Sequence, residues 1–504
     1  MALINSVISW LMKKRFHQIE LFMKYPHEVQ GEWFKRLIST AKDTEWGKKY
    51  DFKSINSYED FRNRVPINDY ESIKGDIDRV MKGQQNILWP TDIRLFAKSS
   101  GTTSEKSKFI PVSPESLEEC HFKGGKDMLG IYCSNFPETL MFDGRGLAMG
   151  GSHTIREVNN EEFYVGDLSA LIIQKLPNWA EFIRVPKRKL ALMDEWEEKI
   201  EKMAHATIPH NVTSLSGVPS WTLLLLNRIM DITGKDNILD VWPNLEVFFH
   251  GGVNFGPYRS QFETIIPSSK MYYVNTYNAS EGFFGLQEGV DRDDMLLMLD
   301  YGIFYEFIPM SELDNEHPRA IPLTEVEADV NYAMVITTNA GLWRYLIGDT
   351  IKFTSTDPYR IKITGRTKSF INAFGEELIV DNAEKAMDVA TRKCNAIITD
   401  YTAAPVYLDG KENAAHEWLI EFSQEPENLE FFTETLDNAL KSLNSDYEAK
   451  RYHDLILRKP IVRKLPTSTF YQWMKNRGKL GGQNKVPRLA NDRSYVEDIL
   501  KMIE

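Results

Sequence analysis

Between residues 190 and 290, apolar runs of two different periods alternate, and the strand-like runs end in polar turns that contain glycine. "LALMDEWEEKIEKMAHAT" carries apolar residues at helical spacing, and "NVTSLSG" reads as a strand. "VPSWTLLLLNRIMDITG" reads as a helix with Pro219 near its start and Gly234 at its end. "LEVFFHGG" and "KMYYVNTYNASEG" are β-rich runs that close on glycine turns. Strands that alternate with helices predict an α/β sheet, because connecting helices must cover the sheet faces, and such sheets take ligands at strand ends.

The rest of the chain adds to that frame. The first hundred residues read as mostly helical with a break near "TEWGKKYDF", and "KFIPV" as a strand. "YAMVITTNAGLWRYLIGDTIKFTS" is hairpin-like, and "YRIKITGRTKSFINAFGEELIVDNAEKAM" passes from strand to helix across Gly365 and Gly375. The remaining tail is long enough for a small α+β domain. At 504 residues and 42% hydrophobic content the chain has core for more than one domain.

Several function classes are disfavoured. The formal charge of −12 repels nucleic acid and anionic membrane surfaces, so neither is an expected partner. Cys120, Cys133 and Cys394 are odd in number and form no C-x-x-C, which fits a reducing, cytoplasmic setting without thiolate metal sites. "MALINSVISWLMKKRF" lacks the charge order of a signal peptide, is too short to span a bilayer, and reads as an amphipathic first helix. No G-x-S-x-G occurs, and "HEWLI" has Ile420 where a zinc-protease helix needs its second histidine.

"KSSGTTSEKSKFIPVS" gathers Ser99, Ser100, Thr102, Thr103, Ser104 and Ser107 around Gly101, with Lys106 and Lys108 behind them. Such a loop presents amides and hydroxyls to phosphate oxygens, or it is an ordinary surface loop; it is not a Walker loop. "YNASEG" puts Tyr277 and Glu281 at a strand end, where the carboxylate can hold Mg²⁺ between phosphates or simply lie in water at a capped turn. "YLIGDT" puts Asp349 after Gly348, as a ribose acceptor or a β-turn aspartate. "HGGVNFG" offers Gly251 and Gly252 as a flat backbone surface for a base, or as a tight turn. Residues 450 to 488 hold eleven Lys or Arg against one acid, Asp454, so they face either a polyphosphate or the protein's own acidic surface.

Singly these motifs are weak, but their order is specific. It resembles the adenylate-forming superfamily of acyl-CoA synthetases and firefly luciferase. "SSGTTSEKSKFIPVS", "VFFHGGVNFGPY", "YNASEG", "YLIGDT" and "GGQNKVPRL" are most similar to the acyl acid amido synthetases, the family first known from auxin-responsive plant genes, with bacterial relatives. The loop departs from the superfamily pattern in that Ser104 replaces a second glycine and no proline precedes Lys108.

The resemblance implies a mixed α/β fold with a large N-terminal adenylation domain, residues 1–367, and a small mobile α+β domain, residues 368–504. The hinge would lie at 365–370, with Lys368 at its pivot. It implies an ATP-dependent ligase that joins a carboxylic acid to AMP, releases pyrophosphate, and passes the acyl group to an amine, usually of an amino acid. Ser99, Ser100, Gly101, Thr102, Thr103, Ser104 and Lys108 would hold phosphates. Gly251, Gly252, Tyr277, Asn278 and Ser280 would line the nucleotide, Asp349 would hold the ribose, and Glu281 would carry Mg²⁺. Lys485 would reach the α-phosphate. Val218, Pro219 and Trp221 would border the acyl pocket, unless they only start and pack a helix. Transfer to coenzyme A or another thiol shares the same first half-reaction. A non-catalytic nucleotide-binding protein is the remaining alternative, disfavoured by the retention of Glu281, Asp349 and Lys485.

Overall fold

The structure is a computed structural model that describes residues 14–99, 108–252, 255–313, 315, 317–367, 370–371, 376, 378–408, 413–451, 457–480 and 485–503. Most of the expected opening helix falls on residues 1–13, outside the described residues. The chain forms two compact units. The larger comprises Met1–Val253, Ser260–Ile347 and Ile351–Lys362; the smaller comprises Asn254–Arg259, Gly348–Thr350 and Ile363–Glu504.

In the larger unit, β1 (Leu95–Ser99) and β2 (Lys108–Val112) pair antiparallel, with Ser99 opposite Lys108. After β3 (Arg145–Ala148) come β4 (His153–Val158) and β5 (Glu161–Gly166), which complete a four-stranded sheet of order β2-β1-β5-β4. Next are β6 (Arg184–Val185), β7 (Val212–Gly217), β8 (Val247–Gly251) and β9 (Tyr272–Ala279). With β3 they form the parallel half of a twelve-stranded sheet, in the order β9-β8-β7-β3-β6.

The parallel half follows from its connections. Helix Trp196–Thr207 separates β6 from β7, Pro219–Thr233 separates β7 from β8, and Gly256–Ile265 separates β8 from β9. A parallel return needs such a crossover, and strands covered on both faces read as continuous apolar runs. Val247, Phe248 and Phe249 are accordingly all buried in succession. Pro219 stands at the first turn of its helix, and Gly234 ends it at φ 64, as the sequence predicts.

The other half is antiparallel where its strand pairs are resolved. β10 (Gly282–Leu286) and β11 (Met295–Leu297) continue the sheet from β9. β12 (Ile303–Pro309), β13 (Ile321–Pro322), β14 (Asn331–Thr338), β15 (Tyr345–Thr356) and β16 (Tyr359–Arg366) complete the order β13-β12-β14-β15-β16-β11. The early helices dock on this half: Gln30 Nε2 donates to the carbonyls of Leu299 and Ile303, both at 2.9 Å. The expected break near residue 46 holds a helix of its own, Glu45–Lys49, whose amide at Gly47 donates to Thr44 Oγ1.

The smaller unit is an α+β sandwich. β17 (Phe370–Ile371) and β18 (Leu378–Ile379) form a short ribbon. β19 (Ile397–Leu408) and β20 (Asn413–Gln424) are antiparallel, and β21 (Ile461–Leu465) runs parallel to β20. Successive strand residues face opposite ways. Ala403, Trp418 and Ile420 therefore pack with Met387, Phe432 and Leu436, while Ala404 and Leu419 pack with Phe470, Trp473, Val496 and Ile499. No helix among the described residues is long and apolar enough to cross a membrane.

Candidate functional site

In the larger unit four parallel strands end in a stagger from β3 through β7 and β8 to β9, each running one to three residues past the one before. Ala148 stands opposite Ser216, Gly217 opposite His250, and Gly251 opposite Thr276. Their carboxyl ends open into neighbouring turns at Gly150–Gly151, Val218–Pro219, Gly251–Gly252 and Ser280–Glu281. Unpaired backbone at such ends is where open α/β sheets take ligands.

Two glycines here are demanded by geometry. A Cβ on Gly251 would stand 2.5 Å from the carbonyl oxygen of Thr276, and Gly252 has φ +80. No side chain fits the first position without moving β9, and the second is left-handed. Tyr277 precedes the turn and packs its ring against Phe284 at 4.9 Å, buried, so it frames the site rather than exposing an aromatic face. Asn278 is exposed. Ser280 and Glu281 form the two-residue loop of the β9–β10 hairpin and are largely buried.

Ser99 ends β1 and Lys108 opens β2, so both belong to the other sheet. Ser100, Gly101, Thr102, Thr103 and Ser104 lie outside the described residues. The ammonium of Lys108 stands 5.8 Å from the centre of the Tyr70 ring, and the Tyr70 hydroxyl accepts from the Phe109 amide at 2.9 Å. Pro219 is buried at the helix start, while Val218 and Trp221 are half-buried.

The strand ends include one turn that no quoted motif covers, residues 150–151. Lys199, 1% exposed on helix Trp196–Thr207, donates to the carbonyls of Gly150 at 2.5 Å, Gly151 at 3.0 Å and Met193 at 3.2 Å. Burial pulls its ammonium down to about 8, against the favourable charges of Asp167 and Asp194. Asp167 also accepts from the Ser152 amide at 2.9 Å. The sequence signal was present in "AMGGSH", a paired glycine after a short apolar strand.

The smaller unit holds Asp349 and Lys485. Instead of the expected turn, Asp349 lies inside the 12-residue strand β15. Gly348, at φ +93, bends the strand without ending it, and its carbonyl still accepts from the Thr367 amide at 2.8 Å. Arg366 Nε donates to Asp349 Oδ1 at 3.0 Å. Lys485 keeps solvent-accessible surface although protein surrounds it densely, and its ammonium is pushed down to about 8. Burial is the main cause, followed by the charge of Arg366, with Asp349 and Glu384 opposing. Lys368 lies outside the described residues.

The basic tail now divides into two roles. Arg451 pairs with Asp437, Lys459 with Glu430, Arg463 with Glu417, Lys464 with Glu425, Arg477 with Asp498, and Arg488 with Asp400. These cations meet the protein's own acids. Lys485 makes no ion pair among the described residues. A separate cleft of about 590 Å³ is lined by Arg62, Arg319 and Arg344, each paired to a carboxylate, and by none of the expected site residues.

Three family models match the chain in order: the GH3 family N-terminal domain over residues 15–271, the central domain over 296–366 and the C-terminal domain over 381–494. Indole-3-acetic acid-amido synthetase GH3.3 of Arabidopsis thaliana is 22% identical, over 93% of this chain and 90% of that protein. Among solved structures, GH3.15 acyl acid amido synthetase superposes with a TM-score of 0.78 at 15% identity, covering 96% of this chain and 95% of that one. A 2-hydroxyisobutyryl-CoA ligase in its postadenylation state gives 0.59 at 13% identity, over 94% and 91%.

Proposed function

Because this chain belongs to the GH3 family, we propose that it is an ATP-dependent acid–amino acid ligase working through an acyl-adenylate. The observation that carries the site assignment is the isolation of Lys485. It is a tail lysine with no carboxylate bound among the described residues, and its charge is felt by Asp349 and Arg366.

In the first half-reaction a carboxylate oxygen attacks the α-phosphorus of ATP and the bond to pyrophosphate breaks. In the second, an amine attacks the acyl carbon, the bond to AMP breaks, and the amine gives up a proton. The protein supplies no covalent nucleophile. It positions reactants and stabilises charge on the phosphate. Asp349 accepts from ribose hydroxyls, while Gly251 and Gly252 let the nucleotide approach the backbone closely. Lys485 brings a full positive charge to the α-phosphate. Ser99 and Lys108 flank the phosphate loop. Val218, Pro219 and Trp221 border the acyl group at the adjoining strand end.

Mg²⁺ fits the donor set. Glu281 is a single, largely buried carboxylate at a hairpin turn, and Mg²⁺ commonly takes one or two carboxylates plus substrate phosphates rather than an all-protein cage. The described residues contain no cluster of three such ligands. Glu281 would hold the ion, and the ion would neutralise phosphate charge. Residues 368–504 would rotate about 365–370 between the half-reactions. The free cysteines Cys120, Cys133 and Cys394 suit a reducing cytoplasm.

The test is one mass-spectrometric reaction with Mg-ATP, pooled carboxylic acids, pooled amino acids and coenzyme A. A new amide mass with AMP is the expected result. A thioester with AMP would change the acceptor, and ADP would reject adenylate chemistry.

A further inference from the structure

We infer that Glu384 is a positioning residue for adenylation: it anchors the segment that carries Lys485 and supports that lysine's positive charge. The inference rests on the role proposed above for Lys485.

Glu384 sits on helix Val380–Lys393 and is 6% exposed. Its Oε1 lies 3.4 Å from Arg488 Nε, and its Oε2 is buried without a hydrogen-bond partner among the described residues. Arg488 is three residues beyond Lys485 and is itself fixed. Its guanidinium also binds Asp400, donates to the Tyr401 carbonyl at 3.3 Å, and stands 4.6 Å from the centre of the Tyr401 ring. Its carbonyl accepts from the Ala403 amide at 2.9 Å, and the Ala490 amide donates back to Ala403 at 3.0 Å. Val486 and Leu489 are buried in separate apolar clusters. The segment that follows Lys485 is therefore seated on β19, and Glu384 is the helix residue that meets it.

The electrostatics agree with this seat. The groups facing Lys485 are Arg366, Asp349 and Glu384. Those facing Glu384 are Arg488, Asp381, Lys485 and Tyr401. Burial pushes the Glu384 carboxyl up to about 7, against Arg488 and Lys485. Asp349 already accepts from Arg366, so Glu384 is a carboxylate facing Lys485 with an oxygen to spare. A buried carboxylate with an uncommitted oxygen costs stability unless a nearby cation compensates.

The test measures the titration of Lys485 directly, by competitive acetylation with acetic anhydride across a pH series and mass spectrometry of the Lys485 peptide. This readout needs no substrate. Glu384→Gln removes a negative charge beside Lys485, so its labelling midpoint should fall by about half a pH unit or more. Glu384→Asp, which keeps the charge, should stay nearer the native value and serves if the glutamine variant does not fold. ATP–pyrophosphate exchange with the pooled acids should then slow more at pH 8 than at pH 6.5, by about twofold or more. An unmoved midpoint in a folded Glu384→Gln protein overturns the inference, as does an equal loss at both pH values. Full exchange in Lys485→Ala would instead remove the role of Lys485 on which the inference stands.

Discussion

Arg366 Nε donates to Asp349 Oδ1 at 3.0 Å, and the carboxylate is only 11% exposed where the kinked strand β15 passes Gly348. The guanidinium orients the carboxylate through one oxygen, an arrangement suited to accepting ribose hydroxyls in the proposed role. Asp349→Ala should raise the KM for ATP by about 10- to 100-fold, the loss expected for hydrogen bonds to a charged acceptor. Equilibrium binding of ATP to the variant checks this, and unchanged affinity would remove the ribose role.

In its proposed role at the α-phosphate Lys485 acts on the transition state, so Lys485→Ala should slow ATP–pyrophosphate exchange by about 10²–10³-fold with little change in ATP affinity. The sign of the pH dependence follows from the active form, the ammonium. With its pKa depressed to about 8, exchange should be full well below that pH and decline as pH rises through it. Lys485→Arg keeps its charge and should flatten this alkaline limb. A pH series on the three proteins decides the matter.

Arg344 and Glu306 form an ion pair at 2.8 Å with side-chain exposures of 6% and 0%. Arg344 also donates to the carbonyls of Arg62 at 2.9 Å and Val65 at 2.8 Å, tying the early helices to β12. Arg344→Ala leaves a buried carboxylate without its cation, and urea unfolding should show a loss of about 3–5 kcal/mol. Replacing both residues with methionine should cost less than the single change, since no charge is then stranded.

Lys199→Met should act on the acyl side of the site. The carbonyls of Gly150 and Gly151 lose a buried donor, a cost of about 2 kcal/mol, and their turn loses its tether. The KM for the acid should rise about tenfold or more while that for ATP changes little. Equal changes in both would show that the turn is remote from the acyl group.

Local features of this protein were legible because they are set within a few residues. Apolar period, a proline at the first turn and a left-handed glycine mark helix Pro219–Thr233 wherever the chain goes. The same holds for β7, β8 and β9 and for the glycine turns they enter. The order of the motifs along the chain was enough to show the family, because a shared fold keeps its site residues in sequence even when few other positions agree.

What the sequence could not decide was which side chains meet. Lys199 sits in "EEKIEKM" and looks like any solvated helix lysine; only the packing of that helix under the turn at 150–151 buries it. Asp349 read as a turn residue, but the partners of β15 carry the strand through it. The eleven basic residues between 450 and 488 look alike, and their roles diverge because Asp437, Glu417, Glu425 and Asp498 meet some of them while none pairs with Lys485 among the described residues. Sequence alone determined the elements, their turns and the kind of chemistry, since these depend on neighbours in the chain. Burial and charge pairing were left to the tertiary structure, because they depend on residues that only folding brings together.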